Sequence, residues 1–592
     1  MGTKQMSKAV KFFVFFFVLL ALLILACLCF DKRVDKNTLL IYICGSTLET
    51  YSGYASNNIE EMLKAKISPN TTVILEVGGS KRWENSSISA EHIERYTIKN
   101  GKLVLLEQLE QSNMGSAETL ESFINFGVSF APTNQLSIIF WDHGGGSIDG
   151  VCADANYDYD SLTLPEIKTA FENTASLMSE KWEFVGFDAC LMATYDMACL
   201  LEPYAKYMIA SEEIESSSGW DYKTVLSKVG TKTFYSDTLK SYATKQAKKA
   251  TYTLSVTNLS KLYNADLVIE KIADQINYDI SYIGKALSKG KEFGVKKNDS
   301  NGTNLFDLGL IANVLEIEYD FSSMINLVNG SAHKDATGMS IYFPIEQESL
   351  LDEYREVCQN PTYIQFLTNY FKYEPQIAIE FDNKGYDNNG CLSFSLTAIS
   401  NKYVQAVGYE LHSAVANEDT QKMYCIGKDN DVSFDNNVYT VNFQGNWVYI
   451  NDILLHCEVY EKKDTYTVFS APVKINGELC YLLFTYFKSN QSISVDGFVI
   501  AGDIASRIHD LVRGMNLTIL YKDLLDNGEE SYYEEGTITW DDNAKLSVKK
   551  LCAGEYQYIP YVIDIYGNVY HGHTAFVYFD GEKNTVQSIA AG

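Results

Sequence analysis

Apolar and polar positions alternate in three regimes along this chain. From residue 37 to about 222, short apolar runs are separated by stretches of helical period. The runs at 39–44, 72–77, 136–141, 183–187 and 207–210 have strand length and are mostly continuous, the pattern of strands buried on both faces. Between them, Leu120, Phe123, Ile124 and Val128 form one helical stripe, with Gly127 a weak point in it. Thr163-Leu-Pro-Glu166 has the reciprocal form of a capping box and predicts a helix through Ile167, Phe171 and Leu177. Another helix is predicted over 192–201. Such alternation predicts an α/β fold on a mostly parallel sheet with helices over both faces.

Residues 223–375 read as mainly helical, with helices over 236–250 and 265–287 and a strand over 338–343 ended by Pro344. Beyond about residue 373 the character changes. Strand-like segments such as 465–470, 479–487, 517–521 and 561–565 are divided by Gly, Asn and Asp turns. They predict one or two antiparallel, sandwich-like β domains, with a boundary near 504–513. At the other end, Phe12 to Phe30 is an unbroken apolar run of 19 residues preceded by Lys4, Lys8 and Lys11. As a helix it is long enough to span a bilayer core about 30 Å thick, and longer than the usual core of a signal peptide. Two fates compete: an uncleaved single-pass anchor, or a signal removed ahead of a lipid-modified Cys27, since Ile24-Leu25-Ala26-Cys27 resembles a lipoprotein cleavage box. Basic residues are level on the two sides, three and three, and only the terminal amine tips the balance inward. The expected organisation is therefore an N-terminal membrane anchor or signal over 1–36, an α/β domain over 37–375, and β-rich domains over 376–503 and 504–592. The bulk is expected outside the cytoplasm, held at the cell membrane by a single pass or a lipid anchor.

Composition narrows the function. The chain has 592 residues, 46% of them hydrophobic and 13% aromatic, so it can bury large cores. Its formal net charge of −28 argues against nucleic acid, whose phosphates most of this surface would repel. The ten cysteines after the anchor lack CxxC or other zinc-type spacing, and the chain contains no HExxH and no GxxxxGK[ST].

Two strand ends carry candidate chemistry. One apolar run ends in Trp-Asp-His143-Gly-Gly-Gly146, another in Phe-Asp188-Ala-Cys190-Leu-Met-Ala193. Ligands of open parallel sheets bind beyond the carboxyl ends of strands, so neighbouring strands would deliver an imidazole and a thiol to one rim. A thiol is a strong nucleophile, and an imidazole moves the protons of acyl transfer. Glycines after the histidine leave backbone N–H groups open to an oxyanion. A cysteine at a helix N-terminus would also gain thiolate character from the dipole. Taken alone, Cys190 is more often a buried small hydrophobe, and His143 a hydrogen-bonded loop residue. HGGG also serves serine esterases, but no serine here has glycines two residues away on both sides, so that reading fails.

WDHGGG followed by FDACLMA, with Cys190 lying 47 residues after His143, resembles the clostripain family of cysteine peptidases; SLTLPEI, IASEE and GWDY fit the same pattern. The resemblance covers about 37–375 and leaves out the β-rich remainder. It implies a caspase–haemoglobinase-like three-layer fold, His143 as catalytic histidine, Cys190 as nucleophile, and the Gly144 N–H in the oxyanion hole. It also implies that Asp188 lies in a pocket for a substrate Arg or Lys; the alternative is that Asp188 caps the following helix. A second pocket acid is expected among Glu212, Glu213, Glu215 and Asp221. The implied activity is that of a membrane-anchored or secreted endopeptidase, acting as a monomer on Arg- or Lys-containing protein or peptide substrates, without nucleic acid. The alternative is a non-catalytic surface protein using this scaffold and its β domains for adhesion. One departure stands out: several relatives self-cleave at a basic residue in the loop between the His and Cys strands, whereas no Lys or Arg occurs here from Leu103 through Ile167, and the only basic residues between His143 and Cys190 are Lys168, inside the predicted helix, and Lys181, just before the strand. No cofactor or metal is required. Asp154-x-Asn156-x-Asp158-x-Asp160 alternates oxygen ligands but has Tyr159 and Pro165 where an EF-hand needs Gly and Glu, leaving only a looser calcium site as an expectation.

Overall fold

The continuous apolar runs become the centre of a nine-stranded sheet. In chain order its strands are β1 (Asn37–Cys44), β2 (Thr71–Gly78), β3 (His92–Lys99), β4 (Lys102–Glu110), β5 (Gln135–Trp141), β6 (Trp182–Asp188), β7 (Ala205–Ala210), β8 (Thr253–Asn258) and β9 (Ile325–Asn329). Across the sheet they lie in the order β9-β8-β7-β6-β5-β1-β2-β3-β4. Strands β2, β1, β5, β6 and β7 run parallel. An antiparallel pair extends each side. The computed structural model describes residues 37–294, 303–343, 348–372, 379–386, 391–417, 420–441, 445–462, 465–501, 508–524, 530–581 and 584–589. The apolar run at 12–30 and Cys27 lie outside the described residues, among which no helix is long and apolar enough to cross a membrane.

Side chains alternate across a strand, so a continuous apolar run feeds two cores. Leu40, Tyr42, Ile138, Phe140, Val185 and Phe187 enter one, packed under helices α2 (Ala117–Phe130), α3 (Leu164–Thr174), α4 (Tyr195–Leu201) and α7 (Tyr263–Tyr278). Leu39, Ile41, Ile139, Trp141 and Phe184 enter the other, under α1 (Tyr54–Leu63), α5 (Tyr222–Lys228) and α6 (Phe234–Lys245). The architecture is a mixed α/β layer with a large central sheet.

Some boundaries differ from expectation for local reasons. The helix expected from 192 starts at Tyr195, because the Thr194 side chain accepts the Met197 N–H at 3.1 Å and ends the preceding loop. The long helix expected over 265–287 is two, Tyr263–Tyr278 and Ser281–Lys289, broken where Asp279 turns extended and its carboxylate accepts the Ser281 N–H at 3.0 Å. The capping-box helix stops at Thr174, and Leu177 is exposed in a following 3-10 turn.

The chain beyond residue 376 is β-rich, as its turn spacing predicts. The expected division at 503/504 is not a break between sheets: Val404–Asn417 pairs with Gly554–Asp564, and Tyr466–Ile475 with Asn516–Leu524, within one twelve-stranded sheet. Strands on both sides of that point need each other as partners. This region also packs against the α/β layer, since Leu483, Val499, Ile508 and Ile565 belong to the same apolar cluster as Phe140 and Phe187. None of the ten cysteines from Cys44 to Cys552 is in a disulfide.

Candidate active site

Strands β5 and β6 are parallel neighbours with Trp141 opposite Asp188. The Asp142 N–H donates to the Asp188 carbonyl at 3.4 Å, so the two chains leave the sheet side by side. His143 and Cys190 each stand two residues beyond that last pair. At Gly144 the backbones press together: a Cβ there would collide with the Cys190 carbonyl oxygen, so only glycine fits.

The His143 ring is oriented from β1. Its Nε2 lies 2.7 Å from Oγ1 of Thr47, in the short helix Ser46–Ser52 that follows that strand, and its carbonyl accepts the Cys152 N–H at 3.2 Å. The Cys190 sulfur accepts the Glu215 N–H at 3.2 Å. That donor stabilises negative charge on sulfur. The expected helix dipole does not: α4 begins only at Tyr195, five residues after the cysteine. A buried carboxylate joins the two loops from behind. Asp196, at the start of α4, accepts Ser147 Oγ at 2.6 Å and Tyr354 Oη at 2.9 Å, and burial pushes its pKa up to about 6 against these hydrogen bonds.

Asp188 does not cap the next helix, a role taken by Thr194. It is fully buried, and its Oδ2 accepts the Trp220 N–H at 3.1 Å. Gly219, at φ +62°, makes that approach; a Cβ on it would stand 2.7 Å from Asp188 Oδ2. Of the four downstream acids, Asp221 caps α5, and Glu212 accepts the Gly338 N–H at 2.7 Å. Glu213 faces His333 Nε2 at 2.9 Å. Glu215 reaches the cysteine sulfur through its N–H, and its Oε1 lies 3.4 Å from the Trp220 indole nitrogen. Trp220 thus bridges Asp188 and Glu215. In the acidic loop, the Asp154 carboxylate accepts N–H groups of Met114 at 2.9 Å and Asn156 at 2.8 Å, so the chain's own donors engage it.

A cleft of about 360 Å³ opens beside His143 and Gly144, with Thr47 and Tyr51 on one wall and Glu478, Ile500 and Ala501 of the β-rich region on the other. Over residues 41–373, more than half of the sequence, the chain matches the family model described as the clostripain family. The chain belongs to the clostripain family. It is 24% identical to clostripain from Hathewaya histolytica over 233 residues, 34% of this chain and 43% of that protein, and so spans less than half of that relative's length. Among solved structures it is similar to a secreted C11 cysteine protease from Bacteroides thetaiotaomicron in complex with an irreversible peptide inhibitor, at 15% identity and TM-score 0.44, over 57% of this chain and 99% of that one. It is also similar to an inactive zymogen C11 protease from Parabacteroides distasonis, at 18% identity and TM-score 0.40, over 56% and 97% of the two chains.

Within this clostripain-family domain, the thiol has no exposed surface. The loop whose N–H reaches the thiol is itself tied to a segment far along the chain. The Ile508 N–H donates to the Glu215 carbonyl at 3.0 Å, and the Ser217 N–H and Oγ both donate to the Ile508 carbonyl at 3.0 Å. His509 stacks on Phe498 and packs beside Tyr54, and Asp510 pairs with Lys249 at 2.7 Å. Thr47, Trp220 and Ile508 escape a reading of the sequence. Thr47 and Ile508 lie in no motif, and Trp220, though part of GWDY, gives no sign there of its bridge; only the fold brings Thr47 to His143, Ile508 to Glu215 and Trp220 between Asp188 and Glu215.

Proposed function

We propose that this chain is a cysteine endopeptidase, anchored at or released from the cell membrane, that cleaves protein and peptide substrates after Arg or Lys. The observation that carries this reading is the register of β5 on β6, which sets His143 and Cys190 at equivalent points of one sheet edge. In this mechanism the Cys190 thiolate attacks the scissile carbonyl carbon, and the carbonyl oxygen becomes an oxyanion held by the Gly144 N–H. Collapse breaks the C–N bond, His143 protonates the leaving amine, and a thioester forms. Water then attacks the thioester, releasing the acid product and the thiol. Asp188 reads the basic side chain, with Glu215 as the second acid; both now engage Trp220, which a substrate would displace. A formal net charge of −28 favours the approach of basic substrates. The central sheet flanked by helices is compatible with the caspase–haemoglobinase architecture.

The full burial of Cys190 favours the second reading, a non-catalytic surface protein on the same scaffold. An Arg-amide fluorogenic peptide separates the two. Wild type hydrolyses it, while Cys190→Ala and His143→Ala lose at least a thousandfold in kcat/KM. Asp188→Asn keeps its thermal midpoint within a few degrees but loses its preference for Arg over a neutral residue. Hydrolysis that survives Cys190→Ala removes the mechanism, and an unchanged preference in Asp188→Asn moves the specificity to another acid.

A further inference from the structure

Far from the cleft, three strands of the twelve-stranded sheet gather a second cluster of reactive side chains. Glu410 and His412 are two residues apart on Val404–Asn417 and so point to one face. His412 stands opposite Cys425 of the neighbouring strand, just past a shift in register between Leu411 and His412. On the other side, Gly554–Asp564 pairs with the same strand, and Val569–His571 pairs in turn with it, placing His571 opposite Tyr561. The result brings one carboxylate, one thiol and one imidazole together, with a second imidazole, that of His571, reaching the same carboxylate. His412 Nε2 is 3.2 Å from Glu410 Oε2, and His571 Nε2 is 3.5 Å from Glu410 Oε1. One ligand atom each from Glu410, His412 and Cys425 lies within 4.8 Å of the other two, and all three residues are buried.

We propose that Glu410, His412, Cys425 and His571 form a structural zinc site. Zinc binds nitrogen and oxygen at about 2.0–2.2 Å and thiolate at about 2.3 Å, so tetrahedral ligand atoms stand roughly 3.3–3.8 Å apart. The His571–Glu410 separation falls at that spacing, the His412–Glu410 separation of 3.2 Å is slightly shorter, and the Cys425 sulfur lies within 4.8 Å of the Glu410 and His412 ligand atoms. The donor set of one sulfur, two nitrogens and one oxygen is of the mixed kind that suits zinc, and four protein ligands describe a closed site. Charge also balances. The Glu410 carboxylate and the Cys425 thiolate neutralise the two charges of the ion, the thiol proton passes to solvent, and the imidazoles bind neutral. Lys428 is the competitor, its Nζ 3.4 Å from Glu410 Oε1, and it must swing aside as the metal enters. His571 is 48% exposed along its side chain and marks the solvent side by which the ion arrives. The strands so joined lie on both sides of residues 503/504, so the ion would staple the two halves of the β-rich region.

The test uses the full chain, stripped with a chelator and returned to zinc or cobalt. One equivalent of zinc is expected to bind and raise the thermal midpoint. One equivalent of cobalt is expected to give a thiolate-to-metal charge-transfer band with intense visible bands of tetrahedral geometry. Cys425→Ser should abolish the charge-transfer band, whereas Cys480→Ser, which removes another buried thiol of the same sheet, should retain it. His571→Ala, at a half-exposed position with little bearing on folding, should weaken zinc at least tenfold, and Lys428→Gln should tighten it. A wild-type chain that takes up no stoichiometric zinc overturns the proposal, as does zinc held equally well by Cys425→Ser and His571→Ala. If Cys425→Ser fails to fold, the cobalt spectrum of the wild type and the His571→Ala affinity decide the matter by themselves.

Discussion

Asp196 carries a buried charge among the residues that hold the site together. It is fully buried, accepts hydroxyls from Ser147 and Tyr354, and has its pKa pushed up to about 6 because desolvation outweighs those two bonds. A carboxyl whose folded pKa exceeds its unfolded value binds more protons when folded. Stability therefore falls as pH rises between the two values and stays reduced above the higher one. From the ordinary value of 3.8 to about 6, the loss is on the order of 3 kcal/mol. Asp196→Asn keeps the shape and cannot ionise. The variant should match wild type near pH 4 and exceed it in thermal midpoint by several degrees at pH 7, with the gap opening between those limits. Equal midpoints at pH 7 would mean that the hydroxyl donors compensate the buried charge in full. His143 and Cys190 were legible one at a time, as residues where apolar runs end. The sulfur's partner was not, because Glu215 reaches it through a backbone N–H, which leaves no trace in side-chain identity.

Among elements, those whose periodicity came from burial were the ones the sequence disclosed. Strands β1, β2, β5, β6 and β7 are largely apolar on both faces because helices cover both, and they appear as mostly continuous runs, broken in β2 by Glu76, which pairs with Arg95. The hairpin of β3 and β4 does not: β4 is largely exposed, and its mixed pattern carries little signal. The capping box at α3 was legible to the residue. Glu166 Oε2 accepts both the Thr163 N–H at 3.0 Å and the Thr163 hydroxyl at 2.6 Å, while Ile167 and Phe171 bury the inner face. Thr163→Ala removes half of that box and should cost about 1 kcal/mol. In urea this appears as a lower midpoint with an unchanged slope; a midpoint within error of wild type would assign the helix start to Pro165 and packing alone.

On the scale of the whole molecule, the loop that donates to the Cys190 sulfur is tied to a distant part of the chain. Ser217 and Ile508 are 291 positions apart, and nothing in local sequence announces that they meet. Glu215 stands between the two regions, its N–H on the Cys190 sulfur and its carbonyl on the Ile508 N–H. Any displacement of the segment at 508–510 is therefore felt one residue from the thiol. Ile508→Pro deletes the N–H that reaches Glu215 and leaves the rest of the β-rich sheet its own hydrogen bonds. A backbone hydrogen bond contributes a net 0.5–1.5 kcal/mol, so the open form should become roughly two- to tenfold more populated. Alkylation of Cys190 by iodoacetamide and hydrolysis of the Arg-amide peptide should both rise by that factor. Faster alkylation with slower hydrolysis would instead show that the β-rich region completes the substrate groove, its Glu478 and Ile500 wall being needed for catalysis. If neither rate changes, the cover over the sulfur is supplied by the α/β domain itself, and the loop from Ser211 to Asp221 becomes the element that must move.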